Sequence, residues 1–228
     1  MAEGTLVITI SNQVASPPIV SPPLFTGTFI TGWHVPLDTE WAALSTYLAS
    51  NGYGYGGSGT DIAKSVASKK DWIASIVAGT VGNDQLSNNA TGLNGIPRGW
   101  RYSTGYFTID RNETSQWWSA TTRTASTAWY KFIFYAYAFF YRDFYDKKSG
   151  FSIRLMADST MLNDGDTGTV TDYDGNVYPT ICIDGNEYMA ANLATTHYDD
   201  GTPIPIVTDQ ITWATLKTAG MCYYNNTP

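Results

Sequence analysis

Phe151-Ser152-Ile153-Arg154-Leu155 alternates apolar with polar side chains. Successive side chains of a strand point to opposite faces, so this spacing predicts a strand with one buried face. Upstream, strand signals dominate back to Gly99. Downstream, residues 156–168 hold Asn163-Asp164-Gly165-Asp166 and Gly168, a polar connector. Beyond it, Val170 to Ile183 carries Asp174-Gly175 between two strand-like runs, the signal of a hairpin turn.

Further from this centre the chain changes character. Residues 38–49 predict a helix: Trp41, Leu44 and Leu48 fall at i, i+3 and i+7, with Asp38 as N-cap and Glu40 near the positive end of the dipole. A glycine-rich loop spans 50–60; no Lys-Ser/Thr follows it, so it is no phosphate loop. A short helix is expected over Asp61 to Ser68, a long ordered loop over Gly79 to Asn94, and another short helix from Asp209 to Lys217 around Trp213 and Leu216. At the start, Thr5 to Ile10 is a strand candidate, and the pairs Pro17-Pro18 and Pro22-Pro23 favour an extended path. Residues 1–28 are therefore read as an arm.

Composition limits the function classes. The 228 residues are 43% hydrophobic and 14% charged, enough for a real core. The net charge of −7 and the lack of any basic run argue against nucleic acid, which needs Lys and Arg to displace counterions. No apolar stretch approaches the roughly 20 residues that cross a bilayer, so no membrane insertion is expected. Met1 to Ile10 lacks a basic n-region and a cleavage site, so no signal peptide is read there. Export then implies either a leader already removed or release inside a virion. Cys182 and Cys222 are either two small buried hydrophobes or a disulfide; their spacing with the two histidines fits no zinc pattern.

Several strings together resemble one family. They are Gly32-Trp33-His34-Val35-Pro36 with Glu40-Trp41, and Asn88-Asn89-Ala90-Thr91-Gly92-Leu93 leading to Pro97-Arg98-Gly99-Trp100-Arg101. With them go Trp117-Trp118-Ser119, Ala128-Trp129-Tyr130, and Lys147-Lys148-Ser149-Gly150-Phe151-Ser152-Ile153-Arg154. Asp174-Gly175-Asn176-Val177-Tyr178, Met189-Ala190-Ala191-Asn192-Leu193 and Tyr198-Asp199-Asp200-Gly201-Thr202-Pro203-Ile204 complete the set. Over residues 32–155 and 170–226 the chain is similar to the Fibrobacter succinogenes major paralogous domain. The resemblance implies an α+β, C-type-lectin-like fold, a tendency to secreted or surface display, and no enzymatic activity or cofactor. In that family the Asp-Gly-Asn-Val-Tyr segment precedes the Gly-Trp-His-Val-Pro segment; here the order is swapped. Circular permutation of one domain and a fragment of a tandem array both produce this order. Permutation is favoured, because half a domain would leave apolar strands uncovered. It divides the chain into an N-terminal extended arm, 1–28, and a permuted domain, 29–228. Within the domain, 29–157 is the family's C-terminal half, 158–168 the connector and 169–228 the N-terminal half. The family's tyrosine-rich strand ahead of Gly32 is not recognisable; Leu24 to Ile30 stands in its place.

The stretch that attracts a functional reading is Trp129 to Tyr145. It holds eleven of the chain's 8 Trp, 16 Tyr and 9 Phe. Both strand faces are aromatic, which one-sided burial does not require, and Arg142, Asp143 and Asp146 interrupt the run. Tyr and Trp give large contact area at low conformational cost, so this is a candidate recognition surface. Its candidate residues are Arg123, Phe132, Phe134, Tyr135, Tyr137, Phe139, Asp143, Phe144, Tyr145 and Asp146. The resemblance adds that some family members are variable proteins of diversity-generating retroelements, in which adenine mutation changes Asn codons. Phe134, Tyr135, Tyr137, Ala138, Phe139, Asp143, Phe144, Tyr145 and Asp146 fall in the corresponding window.

The resulting expectation is a non-catalytic, receptor-binding adhesin on a phage virion, or else on a bacterial cell surface. Its partner would be a host or cell-surface protein or glycan, and a homotrimer would form if the arm joins subunits in a fibre. A structural fibre component and a polysaccharide-acting enzyme are the rival readings. His34 and His197 read as structural, since no nucleophile motif surrounds them. Asp172-Tyr173-Asp174-Gly175-Asn176 resembles part of a calcium loop but lacks the distal bidentate Glu, so no metal is assigned.

Overall fold

The computed structural model of the chain describes residues 7–9, 27–109 and 111–227. In chain order the strands are β1 (Val7–Thr9), β2 (Trp33–His34), β3 (Thr114–Thr122), β4 (Thr127–Phe134), β5 (Tyr141–Asp146), β6 (Met156–Ala157), β7 (Thr167–Thr171), β8 (Val177–Ile183), β9 (Asn186–Met189) and β10 (Gly220–Cys222). The α-helices are α1 (Asp38–Ser50), α2 (Ala63–Val66) and α3 (Gln210–Thr215). The architecture is mixed α+β. One antiparallel sheet has the order β2-β6-β9-β8-β7, a second is β3-β4-β5, and β1 pairs with β10 in a short ribbon. Apart from Val7–Thr9 and residues 27–28, the expected arm lies outside the described residues.

The five-stranded sheet joins distant parts of the chain. Trp33 lies opposite Ala157, and Met156 lies opposite Tyr188. Residues 33–34 and 186–189 therefore flank the same short strand, which begins the connector. Strand β8 turns into β9 through Asp184-Gly185, both with positive φ (55° and 67°). That is the two-residue turn that Asp-Gly favours, because its twist matches that of the paired strands. The Asp174-Gly175 hairpin is also present, with a longer loop between Thr171 and Val177.

Helix α1 extends one residue beyond its expected end. Leu37, not Asp38, is its N-cap, and the Leu37 N–H donates to Glu40 Oε2 at 2.6 Å. Asp38 is instead engaged by Arg142. The other short helices shrink to α2 and α3; Asp209 caps α3 by accepting from the Thr212 N–H. Trp41, Leu44 and Leu48 bury one face of α1 against Trp117, Ile133, Phe140 and Tyr188. Trp41 stacks near Tyr188 at 6.2 Å and meets Phe140 edge-on at 6.0 Å. Burying such side chains contributes roughly 1.5–3 kcal/mol each. A second core gathers Phe29, Ile30, Val35, Ile153, Leu155, Tyr178, Met189, Leu193, Ile204 and Met221. Both cores thus draw on residues before and after the connector.

One expectation needs correction. Phe151 to Leu155 forms no strand, only isolated bridging such as Ser152 to Trp117, and it has no solvent face: Ser152 and Arg154 are as buried as Phe151, Ile153 and Leu155. A polar residue can occupy such a position only when its groups are paired, and Arg154 is. Its guanidinium donates to Leu93 O, to Asn94 O at 2.7 Å, to Met189 O at 3.1 Å and to Asn192 Oδ1 at 3.0 Å. Of the two readings of Cys182 and Cys222, the structure bears out the first: both are buried free thiols, and no disulfide links them.

Candidate functional site

The β3-β4-β5 sheet has two faces of opposite character. Lys131, Ile133 and Trp117 point towards α1, and Ile133 and Trp117 join the main core there. The other face carries Tyr130, Phe132 and Phe134 on β4, with Tyr141 and Asp143 across from them on β5 and Gln116 on β3. At one end this face is closed by Trp118, Phe151 and Trp100. Beyond that it opens into a groove of about 810 Å³, with Tyr102, Tyr106 and Phe107 on the far wall. A volume of this size accommodates a small ligand or a partner's protruding side chains.

The rings touch one another along the groove. Phe132 stacks with Tyr130 at 5.5 Å and with Tyr141 at 5.1 Å. Tyr137 contacts Phe134 at 4.9 Å and Tyr141 at 5.4 Å, and Phe139 meets Tyr141 edge-on at 5.9 Å. Tyr137 and Phe139 remain 46% and 45% exposed, which makes this a large exposed aromatic cluster. Burial pushes the Tyr130 hydroxyl pKa up, so it stays protonated as a donor.

One wall is pinned by backbone hydrogen bonds, the other by a buried side chain. The connection from β4 to β5 is held by Gly82 N–H to Tyr135 O at 2.7 Å, Val81 N–H to Tyr137 O at 3.2 Å and Ala63 N–H to Ala138 O at 2.9 Å. Phe140 anchors it in the core. The far wall hangs on Arg101, fully buried, which donates to Gly105 O at 2.8 Å, Val207 O at 2.6 Å and Thr208 O at 3.1 Å. Its guanidinium also lies over Trp213 at 4.3 Å. Gly105 and Arg101 thereby tie the wall to the segment that leads into α3.

The candidate residues do not form one contiguous patch. Phe132, Phe134 and Tyr137 line the groove together, and Phe139 lies beside them against Tyr141. Asp143 shares their face and is exposed. Tyr145 is taken up by Trp100 and Phe151 at 5.0 and 5.9 Å, and Asp146 accepts from the Lys148 N–H at the end of β5. Tyr135 packs against the main core. Arg123 and Phe144 lie on the opposite face, the guanidinium 3.5 Å above the ring, beside Trp129. Arg142 covers Trp129 from 3.3 Å while holding Asp38 through two bonds of 2.7 Å. Gln116, Trp100 and Tyr102 line the groove and Tyr141 stacks on Phe132 beside it; none of the four is among the expected residues. Tyr141 alternates in step with Phe132 across the hairpin, a relation visible only once the turn length is known.

Under α1 the same sheet buries Lys131. Its ammonium donates to Ser45 Oγ at 2.8 Å and Phe140 O at 3.2 Å, and among the described residues no carboxylate pairs with it. Burial lowers its pKa to about 8. Both histidines are engaged within the protein: His34 bridges Glu40 at 3.1 Å and Asp158 at 2.6 Å, and His197 bonds Asp174 at 2.5 Å. The bond to Glu40 contributes most to holding the His34 pKa above its usual value. The carboxylates of the Asp172–Asn176 loop are engaged within the protein. Asp172 accepts from Asn176 and Tyr178, and Asp174 from Thr195, Thr196 and His197.

A family model, the Fibrobacter succinogenes major domain, matches residues 31–156. The chain belongs to this family. The match covers α1, the whole β3-β4-β5 sheet and the groove's aromatic walls, and it ends where β6 enters the five-stranded sheet. The groove is thus built within the Fibrobacter succinogenes major domain, while its far wall is anchored by residues 207–208 beyond it. No curated protein and no solved structure matches the chain significantly. Among the described residues, no helix is long and apolar enough to cross a membrane.

Proposed function

We propose that this chain is a non-catalytic binding protein, displayed on a virion or a cell surface, that seats its partner in the aromatic groove. The observation that carries this reading is the set of mutually touching rings of Phe132, Phe134, Tyr137, Phe139 and Tyr141 left open beside the groove. Contiguous exposed apolar surface of this kind usually marks an interaction site, and aromatic anchors at an interface centre are typically worth about 2 kcal/mol or more each. The partner is a host or cell-surface protein or glycan. If the arm joins three copies, multivalency raises a weak single-site affinity.

The domain is read as a permuted C-type-lectin-like fold. Support comes from β6, which stands between β2 and β9 and so joins the two segments in one sheet. The reading also includes diversification. The carbonyls of Tyr135, Tyr137 and Ala138 hold the loop through the backbone, so side chains there can change while the path stays fixed.

The test is binding of labelled protein to candidate host cells, with a Tyr137→Ala, Phe139→Ala, Tyr141→Ala variant beside the parent. The reading expects a folded variant that has lost binding. A folded variant that binds as the parent does would remove the groove as the site.

A further inference from the structure

We propose that the groove receives a cation, the guanidinium or ammonium group of an arginine or lysine on a protein partner. The inference rests on the groove being the binding site and names what enters it.

Three features converge. The first is the charge of the lining: among the described residues Glu113 is its only ionised side chain, and no Lys, Arg or His lines it. The Glu113 carboxylate makes no ion pair or hydrogen bond among the described residues. Asp143, exposed on the same sheet face, and the net charge of −7 add to the attraction. The second is Gln116. It is 8% exposed, lies opposite Phe132 on the groove side of the sheet, and its Oε1 is buried with no partner. Turning the amide over exchanges Oε1 and Nε2 and presents this acceptor to the groove, where a donor from the ligand meets it.

The third feature is the rings. Elsewhere the protein repeatedly seats its own cations on aromatic faces: Arg123 on Phe144, Arg142 on Trp129, Lys131 on Phe140, Arg101 on Trp213. Among the described residues no cation lies over Trp100, Tyr102, Phe132, Phe134 or Tyr137. A ring face attracts positive charge.

Competing ligands satisfy fewer of these features. An anion is repelled by Glu113. A quaternary ammonium has nothing to donate to Gln116. A neutral sugar leaves the Glu113 charge without a counter-charge. A guanidinium stacks on a ring and donates in a fixed fork to a carboxylate and a carbonyl together, so arginine fits best.

The experiment titrates the intact protein with acetyl-Gly-Gly-Arg-Gly-Gly-amide, with the same peptide carrying citrulline in place of arginine, and with maltotriose, followed by NMR shifts. Citrulline keeps the shape and most donors but not the charge. The proposal expects the arginine peptide to bind with a Kd on the order of 1 mM and citrulline to bind about tenfold more weakly. Glu113→Gln should weaken the arginine peptide by about tenfold and leave the melting temperature unchanged. Equal binding of citrulline, tighter binding of maltotriose, or no arginine-peptide shifts in the groove would each overturn it. If that happens while the Tyr137, Phe139, Tyr141 variant has lost cell binding, the cation inference fails and the groove stands. If the variant still binds cells, both fail.

Discussion

The Arg154 guanidinium donates to the Met189 carbonyl at 3.1 Å, which ties the segment after the second sheet to strand β9. The same side chain reaches Leu93 O, Asn94 O and Asn192 Oδ1, so one buried cation joins three stretches of chain. Burial alone disfavours its charge; the four acceptors compensate.

Arg154→Met should therefore destabilise the protein by about 3 kcal/mol or more, because it strands several buried carbonyls at once. The midpoint of urea unfolding measures this. Arg154→Lys should recover only part of the loss, since one ammonium cannot span the same acceptors. A midpoint unchanged by Arg154→Met would contradict the role.

Lys131 predicts a pH dependence. Its folded pKa is lowered from 10.5 to about 8 by burial, so between those values the unfolded chain binds more protons than the folded one. Stability then rises with pH from about 8 towards 10.5, and the burial penalty, at most about 3 kcal/mol, acts in full below pH 8. Other groups oppose this. Cys222, raised from 9.0 to about 11, and the buried tyrosines Tyr130, Tyr178 and Tyr188 all lose stability as pH rises through this range. The comparison with Lys131→Met cancels them. The parent should gain on the variant by a growing margin from pH 8 to 10 in chemical denaturation. A constant difference would mean that Lys131 titrates normally.

The fold was partly legible because its elements carry local signals. The stripe Trp41, Leu44, Leu48 marks α1, and Asp174-Gly175 marks a hairpin; Asp184-Gly185 carried an equally strong signal. The groove was half legible. Aromatic density pointed to residues 129–145, but face assignment depends on where β4 ends and β5 begins, and the six-residue connection hides that register. Phe144 and Phe134 therefore looked like neighbours and lie on opposite faces. Arg101 and Arg154 were not legible as buried anchors, because their partners are carbonyls 100 or so and 35 to 61 residues away.

Gly82 provides a steric test of the pinned loop. A Cβ there would stand 2.2 Å from Ile73 O and 3.0 Å from Tyr135 O, both backbone atoms that cannot step aside. Gly82→Ala should break the Tyr135 anchor and cost about 1–3 kcal/mol. It should also weaken partner binding, although residue 82 is buried and no part of the groove lining. Thermal unfolding with a parallel binding assay checks both effects. Loss of stability with undiminished binding would show that the loop's path does not matter to the site.

The central claim, that the partner sits in the groove and not on the opposite face, is tested most directly by side-chain footprinting. Hydroxyl-radical oxidation of the protein, free and bound to cells or to a purified partner, reads ring exposure residue by residue. The account predicts protection of Tyr137, Phe139, Tyr141 and Tyr102, with Trp129 and Phe144 oxidised equally in both states. Protection of Trp129 and Phe144 with Tyr137 and Phe139 still reactive would contradict it.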